Sequence, residues 1–141
     1  MIVPRIKQII DYIFLKYDLK WDKEVKNVLS EKEFLIFDQM DEYDKIHGYK
    51  KFQGVKNSKI LKDEIIYLKL SLIHDCGKHN IGLLQRLKKV LIGDIILEQH
   101  PELGYQKMKE LNDELAILIK THHDSSVSDK MKEFQRIDNF S

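Results

Sequence analysis

The chain has 141 residues, 43% of them hydrophobic and 33% charged, with a net charge of +1 and a single cysteine. These values are typical of one globular domain that buries a core without disulfides, and they indicate no broad basic face for a nucleic-acid polymer or a membrane. The lone Cys76 excludes an internal disulfide, so we expect a reducing, cytoplasmic setting, while the oligomeric state stays open.

Helical periodicity begins near the first residue. The apolar residues that recur at the spacing of one helix face are Ile6, Ile9, Ile10, Ile13, Phe14 and Tyr17, with Pro4 in the first turn. Ser30 and Glu33 form a capping-box pattern ahead of a second apolar stretch. Residues 1–40 are therefore predicted to form N-terminal helices of a single domain that spans residues 1–141.

Further helices are predicted after residue 40. Their ranges are Asp41–Val55, Lys62–His74, Gly82–Ile92, a helix that starts at His100-Pro101, Leu115–His122 and Asp129–Phe140. We expect Lys62–His74 to be the most buried helix, because it is strongly apolar on one face, which consists of Ile65, Ile66, Leu68, Leu70, Leu72 and Ile73. Gly104 inside a helix is costly unless a neighbour packs close to it. Because no strand-like alternation competes, the predicted fold class is all-α, a compact bundle of about six or seven helices.

Histidines and aspartates form one ordered series along the chain. Imidazole and carboxylate are the side chains that hold divalent transition metals in proteins. Adjacent His74 and Asp75 at a helix end can both turn toward one pocket, where the carboxylate can bridge two cations. Each histidine taken singly is better interpreted as a partly buried structural residue, but the whole series predicts a metal cluster at the centre of the bundle. Its members are His47, His74, Asp75, His100, His122, His123 and Asp138.

The context of this series resembles the HD superfamily of metal-dependent phosphohydrolases. The matching segments are His47-Gly48, His74-Asp75-Cys76-Gly77-Lys78, His100-Pro101-Glu102-Leu103-Gly104, Thr121-His122-His123-Asp124 and Arg136-Ile137-Asp138. They follow the family's order over residues 47–138. The resemblance implies an HD-domain helical bundle around a central metal site, with residues 41–141 as the metal-binding helical core.

The resemblance also implies a role for each matching residue. The ligands of a first metal would be His47, His74, Asp75 and Asp138. Asp75 would bridge to a second metal completed by His100 and by His122 or His123, and the choice between these two stays open. Lys78 matches a lysine that contacts a substrate phosphate in related proteins, which makes Asp75 and Lys78 the expected catalytic residues. The implied cofactor is one or two divalent ions of Mn, Fe, Co, Ni or Zn.

The function that the resemblance implies is hydrolysis of a small phosphorylated metabolite, with a nucleotide as the expected class, by metal-activated water. Members that cleave cyclic di-GMP carry a Gly-Tyr-Pro signature, which is absent after His122-His123-Asp124. Tyr43 stands where three-metal members place a glutamate. Both departures count against a cyclic di-GMP phosphodiesterase. The alternatives are a mixed-valent di-iron oxygenase of the same superfamily and a non-catalytic, metal-stabilised binding or sensor domain.

Overall fold

Seven α-helices make up most of the part of the chain that the computed structural model describes, which is residues 6–7, 10, 14, 16–78 and 99–139. The helices are α1 (Asp22–Val28), α2 (Glu31–Asp38), α3 (Glu42–Lys56), α4 (Ile65–Ile73), α5 (His100–Met108), α6 (Asp113–Thr121) and α7 (Asp129–Asp138). Short 3-10 turns occupy Leu19–Trp21 and Cys76–Lys78. No strand occurs within these residues, so the predicted all-α class is confirmed.

Two predicted helix starts are confirmed, the first by its capping hydrogen bonds and the second by the position of its proline. Ser30 Oγ accepts from the Glu33 amide at 3.2 Å, and Glu33 Oε1 accepts from the Ser30 amide at 2.8 Å, which is the capping box that precedes α2. Helix α5 begins at His100 with Pro101 in its first turn. The fixed φ of proline suits that position, where an amide hydrogen would have no intrahelical partner.

The helix predicted for Lys62–His74 is shorter than expected, because α4 begins only at Ile65. The preceding segment is folded into turns, in which Ser58 Oγ accepts from the amides of Ile60 and Leu61 at 3.3 and 3.2 Å. The Lys62 amide donates to the Ser58 carbonyl oxygen and the Glu64 amide to that of Leu61, both at 2.9 Å, so residues 59–63 form turns of their own before α4 begins. Ile65 is 63% exposed, so its predicted place on the buried face is wrong, and the buried stretch of α4 lies nearer its end.

The predicted N-terminal helix lies largely outside the described residues. Of its members, Ile6, Ile10 and Phe14 are helical with exposed side chains, whereas Tyr17 is buried and lies outside a helix. The helix predicted for Gly82–Ile92 lies entirely outside the described part of the chain. Among the helices that the structure does describe, none combines the length and the apolar character needed to cross a bilayer.

The hydrophobic core is built from the facing sides of α3, α4, α6 and α7. Its fully buried members include Phe52, Val55, Leu70, Leu72, Ile73, Leu115, Ile119, Met131 and Phe134. Phe134 of α7 lies at the boundary between this core and the histidine series, with its ring centroid 5.5 Å from that of His74. The histidine series therefore borders the apolar core.

Glycines in the matching segments mark places where backbones meet. A Cβ on Gly48 would lie 2.5 Å from the Leu72 carbonyl oxygen, so α3 packs directly on the backbone of α4. A Cβ on Gly77 would collide with the His100 carbonyl oxygen, which places the 3-10 turn against the start of α5. Gly104 has the close neighbour expected of a glycine inside a helix, because its Cβ would lie 2.7 Å from a methyl of Ile119.

We expect Gly48→Ala to lower the free energy of unfolding by about 2 kcal/mol, because the new methyl group would force α3 away from a backbone carbonyl of α4. Gly54→Ala is the matched control on the same helix. It gains the same helix propensity, and its Cβ would meet only a methyl of the Ile137 side chain. Urea unfolding of both variants measures the difference. Equal stability of the two variants would contradict the close helix contact.

Candidate metal centre

The seven side chains of the predicted series come from five helices and meet in one cluster. His47 lies in the middle of α3, and His100 is the first residue of α5. His74 and His122 are the C-cap residues of α4 and α6, and Asp138 is the last residue of α7. Asp75 and His123 directly follow the two C-cap histidines. Most of the cluster is therefore built from helix ends.

A first group consists of His47, His74 and Asp138, whose potential donor atoms all lie within 4.8 Å of one another. Asp138 Oδ1 lies 3.5 Å from His47 Nε2 and 3.2 Å from His74 Nε2. Metal–nitrogen bonds of about 2.1 Å set neighbouring ligand atoms roughly 2.9–3.4 Å apart in octahedral or tetrahedral geometry. The separations of 3.5 and 3.2 Å are close to this range, so the group could hold a metal ion.

A second group consists of His100, His122 and His123, whose donor atoms also lie within 4.8 Å of one another. The His122 ring centroid lies 5.4 Å from that of His100 and 4.1 Å from that of His123. His100 and His122 are buried, whereas His123 is exposed on its outer side. Both members of the adjacent histidine pair face this group, so the choice that the sequence left open stays open.

Asp75 lies between the two groups and faces each with a different oxygen. Its Oδ2 is 3.4 Å from His74 Nε2 and 3.8 Å from His47 Nε2. Its Oδ1 is 3.1 Å from His100 Nε2 in the second group. The residue is only 4% exposed. A carboxylate in this position can bridge the two groups.

The ring orientations of His74 and His122 are fixed by their own helices. His74 Nδ1 lies 2.9 Å from the Ser71 carbonyl oxygen, and His122 Nδ1 is bonded in the same way to that of Ile119. Each Nδ1 therefore donates, and each Nε2 points into the cluster. His122 Nε2 is buried with no hydrogen-bond partner among the described residues. A histidine that ligates a metal typically donates its other ring nitrogen to a carbonyl in this manner.

A second buried polar cluster provides a contrast. The buried Glu33 carboxylate accepts from the Ser30 amide, from Asn112 Nδ2 at 2.9 Å and from Lys69 Nζ at 2.9 Å. All of its contacts are complementary donors, as is usual for a buried structural carboxylate. The histidine cluster differs because several acceptor atoms face one another. A cation is the species that would satisfy them.

Three helices end at the cluster with their carbonyl groups toward it. Helices α4, α6 and α7 terminate at or next to His74, His122 and Asp138. The C-terminal end of a helix carries a partial negative charge from its last carbonyl groups, which attracts cations. The backbone therefore adds to the negative potential of the two carboxylates.

In the metal-free cluster, burial and the charges of neighbouring side chains shift the pKa values of several residues. Burial alone would lower the pKa of His74, but the charges of Asp75 and Asp138 outweigh it and raise this pKa to about 9. Burial opposes ionisation of Asp138, yet the charge of His74 and hydrogen bonds from His47 and His74 hold its pKa far below the ordinary range. Burial, reinforced by the charge of His74, lowers the pKa of His122 to about 3. His122 is therefore neutral at pH 7, as a metal ligand must be.

Lys78 reaches the cluster through the turn that follows α4. Helix α4 ends at Ile73, and Lys78 is carried by the 3-10 turn, so it does not continue a helix from His74. Its Nζ lies 3.5 Å from Asp75 Oδ1, and its side chain is 23% exposed. The contact of Gly77 with the start of α5 shapes this turn. A cationic group therefore stands at the accessible edge of the cluster.

Lys51 is a cluster neighbour that sequence reasoning missed. Adjacent lysines such as Lys50 and Lys51 are usually solvated, and Lys50 is exposed. Lys51, however, is 2% exposed and donates from Nζ to the Ile137 carbonyl oxygen at 3.3 Å. Burial lowers its pKa, while the charges of Asp138 and Asp75 act in the opposite direction. The spacing of Lys51 could have indicated this position, because Lys51 lies four residues after His47 and therefore on the same face of the helix.

A cavity of about 280 Å³ opens beside the cluster. Its walls include members of both groups and polar residues that follow α6 or belong to the end of α7. The lining residues are His122, His123, Asp124, Ser125, Gln135, Asp138 and Asn139. A small molecule in this cavity would contact the cluster directly.

The chain matches no known protein-family model, no curated protein and no solved structure. The candidate site therefore rests on the geometry of its own residues. That geometry consists of buried histidine and aspartate groups that could hold a metal ion.

We expect His74→Gln to remove a pH dependence from the stability of the metal-free protein. The native imidazole keeps its proton up to about pH 9, whereas in the unfolded chain it loses the proton near its ordinary pKa of 6.5. The stabilisation is thus complete below pH 6.5 and is lost as the pH rises through 9, by roughly 1.4 kcal/mol for each pKa unit of the shift.

The measurement is urea unfolding of the wild type and of His74→Gln in a chelator, at pH values between about 6 and 9. The difference in unfolding free energy between the two proteins should shrink as the pH rises. Groups remote from the cluster titrate alike in both proteins, so the difference reports His74 together with Asp138 and His122, whose pKa values depend on its charge. A difference that stays constant or grows with pH would show that His74 is not held protonated by the two carboxylates.

Proposed function

We propose that the protein is a metal-dependent phosphohydrolase that acts on a small phosphorylated metabolite. The observation that carries the proposal is the position of Asp75, whose two oxygens face two separate groups of histidines. Paired metal sites bridged in this way are common in enzymes that hydrolyse phosphate esters. The cofactor in this proposal is one or two divalent transition ions, of Mn, Fe, Co, Ni or Zn.

In this proposal, different residues of the cluster hold the metal ions and bind the substrate. His47, His74 and Asp138 would hold one ion, the second histidine group would hold another, and Asp75 would contact both. Ions held there would supply an activated water and positive charge beside the phosphoryl oxygens. The ammonium group of Lys78, at the edge of the cluster, would bind a phosphoryl oxygen and counter its charge in the transition state. The adjoining cavity would take the rest of the substrate.

The position of Lys78 favours hydrolysis over the other chemistries that the sequence leaves open. A lysine beside the bridging carboxylate serves a phosphoryl group, because it adds positive charge where a phosphate would sit. An O₂-dependent di-iron enzyme would need iron specifically and would consume O₂. A non-catalytic binding domain would bind metal without turnover. Metal identity, O₂ dependence and phosphate release separate the three.

We expect the wild type, reconstituted with Mn²⁺ or Fe²⁺, to hold about two equivalents of metal. Asp75→Ala should lose both ions, because this side chain faces both groups, whereas Asp138→Ala should lose only the ion of the first group. Metal analysis after gel filtration measures the stoichiometry. Asp63→Asn, an exposed carboxylate outside the cluster, is the control and should match the wild type. Little or no metal in the reconstituted wild type would refute the proposal.

We expect Lys78→Met to lower kcat/KM for phosphate release by about a hundredfold, because a charge that stabilises the transition state is lost. Metal content should be unchanged, since the lysine is not a ligand. Lys50→Met, an exposed lysine on α3, is the matched control and should retain activity. Hydrolysis of p-nitrophenyl phosphate by the metal-loaded proteins is the assay. Activity of Lys78→Met equal to that of the control would remove Lys78 from the proposed site.

A further inference from the structure

The cavity beside the cluster has a wall that the proposed chemistry does not use. Its inner side consists of His122, His123 and Asp138, which belong to the two metal groups. A substrate with its phosphoryl group at the cluster would therefore extend its remaining atoms toward the outer wall. The composition of that wall decides which substrates fit.

The outer wall is polar and carries no cation among the residues that line the described cavity. It consists of Asp124 and Ser125, which follow α6, together with Gln135 of α7 and its C-cap residue Asn139. None of the described residues that line it is a phenylalanine, tyrosine or tryptophan, so these residues offer a nucleobase no ring to stack on. A second phosphate or a carboxylate would find no positive partner among these residues and would lie near the carboxylate of Asp124.

Gln135 is held in a fixed orientation. Its Nε2 donates to the His122 carbonyl oxygen at 3.1 Å and to the Asp124 carbonyl oxygen at 2.7 Å. These two bonds use both hydrogens of the amide nitrogen, so the remaining polar atom, Oε1, can only accept. The carboxylate of Asp124 likewise only accepts when it is ionised. Asp124 and Gln135 therefore offer acceptors to the cavity, and the ligand atoms that suit these two residues are hydroxyl donors.

The size of the cavity limits the substrate further. Its volume of about 280 Å³ lies just below the range of about 300–1,000 Å³ that is typical of pockets for drug-sized ligands. A fragment of a few carbon atoms with its hydroxyl groups suits this space, whereas part of a nucleoside would extend beyond the cavity.

We propose that the cavity selects the phosphomonoester of a small, uncharged polyol, with hydroxyl groups that donate to Asp124 and to Gln135 Oε1. This inference rests on the proposed phosphohydrolase function and narrows its substrate class from small phosphorylated metabolites to polyol monophosphates, in place of the nucleotides expected from the sequence. Asp124 is the residue that sets the charge specificity. It excludes a substrate that carries a second negative group on the part that leaves.

The test compares glycerol 3-phosphate with 3-phosphoglycerate, which differ by a carboxylate in place of a hydroxymethyl group. The metal-loaded wild type should show kcat/KM at least about tenfold higher for glycerol 3-phosphate. Asp124→Asn keeps the shape of the side chain and leaves the backbone carbonyl that binds Gln135 in place, and it should reduce this preference about tenfold. Asp63→Asn, an exposed carboxylate elsewhere, should keep the preference of the wild type.

Three outcomes would overturn the inference while the phosphohydrolase proposal stood. They are equal kcat/KM for the two substrates in the wild type, an equal loss on both substrates in Asp124→Asn, and a higher kcat/KM for a nucleoside monophosphate than for glycerol 3-phosphate or ribose 5-phosphate. Failure to release phosphate from any of these compounds and from p-nitrophenyl phosphate, with the metal content confirmed, would refute the proposed function and this inference with it.

Discussion

The buried carboxylate of Asp75 is the contact on which the arrangement of the surrounding helices depends. A carboxylate at 4% exposure needs positive or hydrogen-bonding partners, and its neighbours here come from α3, from the end of α4 and from the start of α5. The close approach of α5 is possible because Gly77 has no side chain to hold the two backbones apart. Fold and site thus share the same few contacts, and neither could change without the other.

Much of the fold could be predicted from the sequence because local signals agree with the tertiary structure. The capping box at Ser30, the proline after His100 and the spacing of apolar residues all indicate helices that form. The predicted start of α4 at Lys62 was wrong, because residues 59–63 form turns closed by bonds to the hydroxyl and carbonyl oxygens of Ser58, and the spacing of apolar residues does not show these turns. The exposure of Ile65 could not be predicted either. The spacing of apolar residues defines a wide apolar face, but it does not show which residues of that face are covered by neighbouring helices.

The candidate site was visible in the sequence as a list of residue types, and the structure adds how they meet. Residue order alone indicated that His74 and Asp75 share a pocket with histidines from other helices. It did not indicate that Asp75 presents one oxygen to each group, since that depends on the rotation of a single side chain. The burial of Lys51 could not be predicted from the residues around it, because it depends on the end of α7, where the Ile137 carbonyl oxygen accepts from Lys51 Nζ. The cavity wall could not be predicted either, because Gln135 acquires its role through two carbonyls of another segment.

The placement of ligands at helix ends bears on how the protein folds. The cluster needs α3, α4, α5, α6 and α7 to be docked at once, and its members are spread over residues 47–138. Contacts between residues so distant in sequence form late in folding. Closing the long loops between these residues costs conformational entropy before the contacts can stabilise the structure. A half-folded chain would therefore contain no ion-binding site. An ion that binds only the finished arrangement would draw the population toward the native state by mass action, so the fraction of folded molecules would follow the free concentration of that ion.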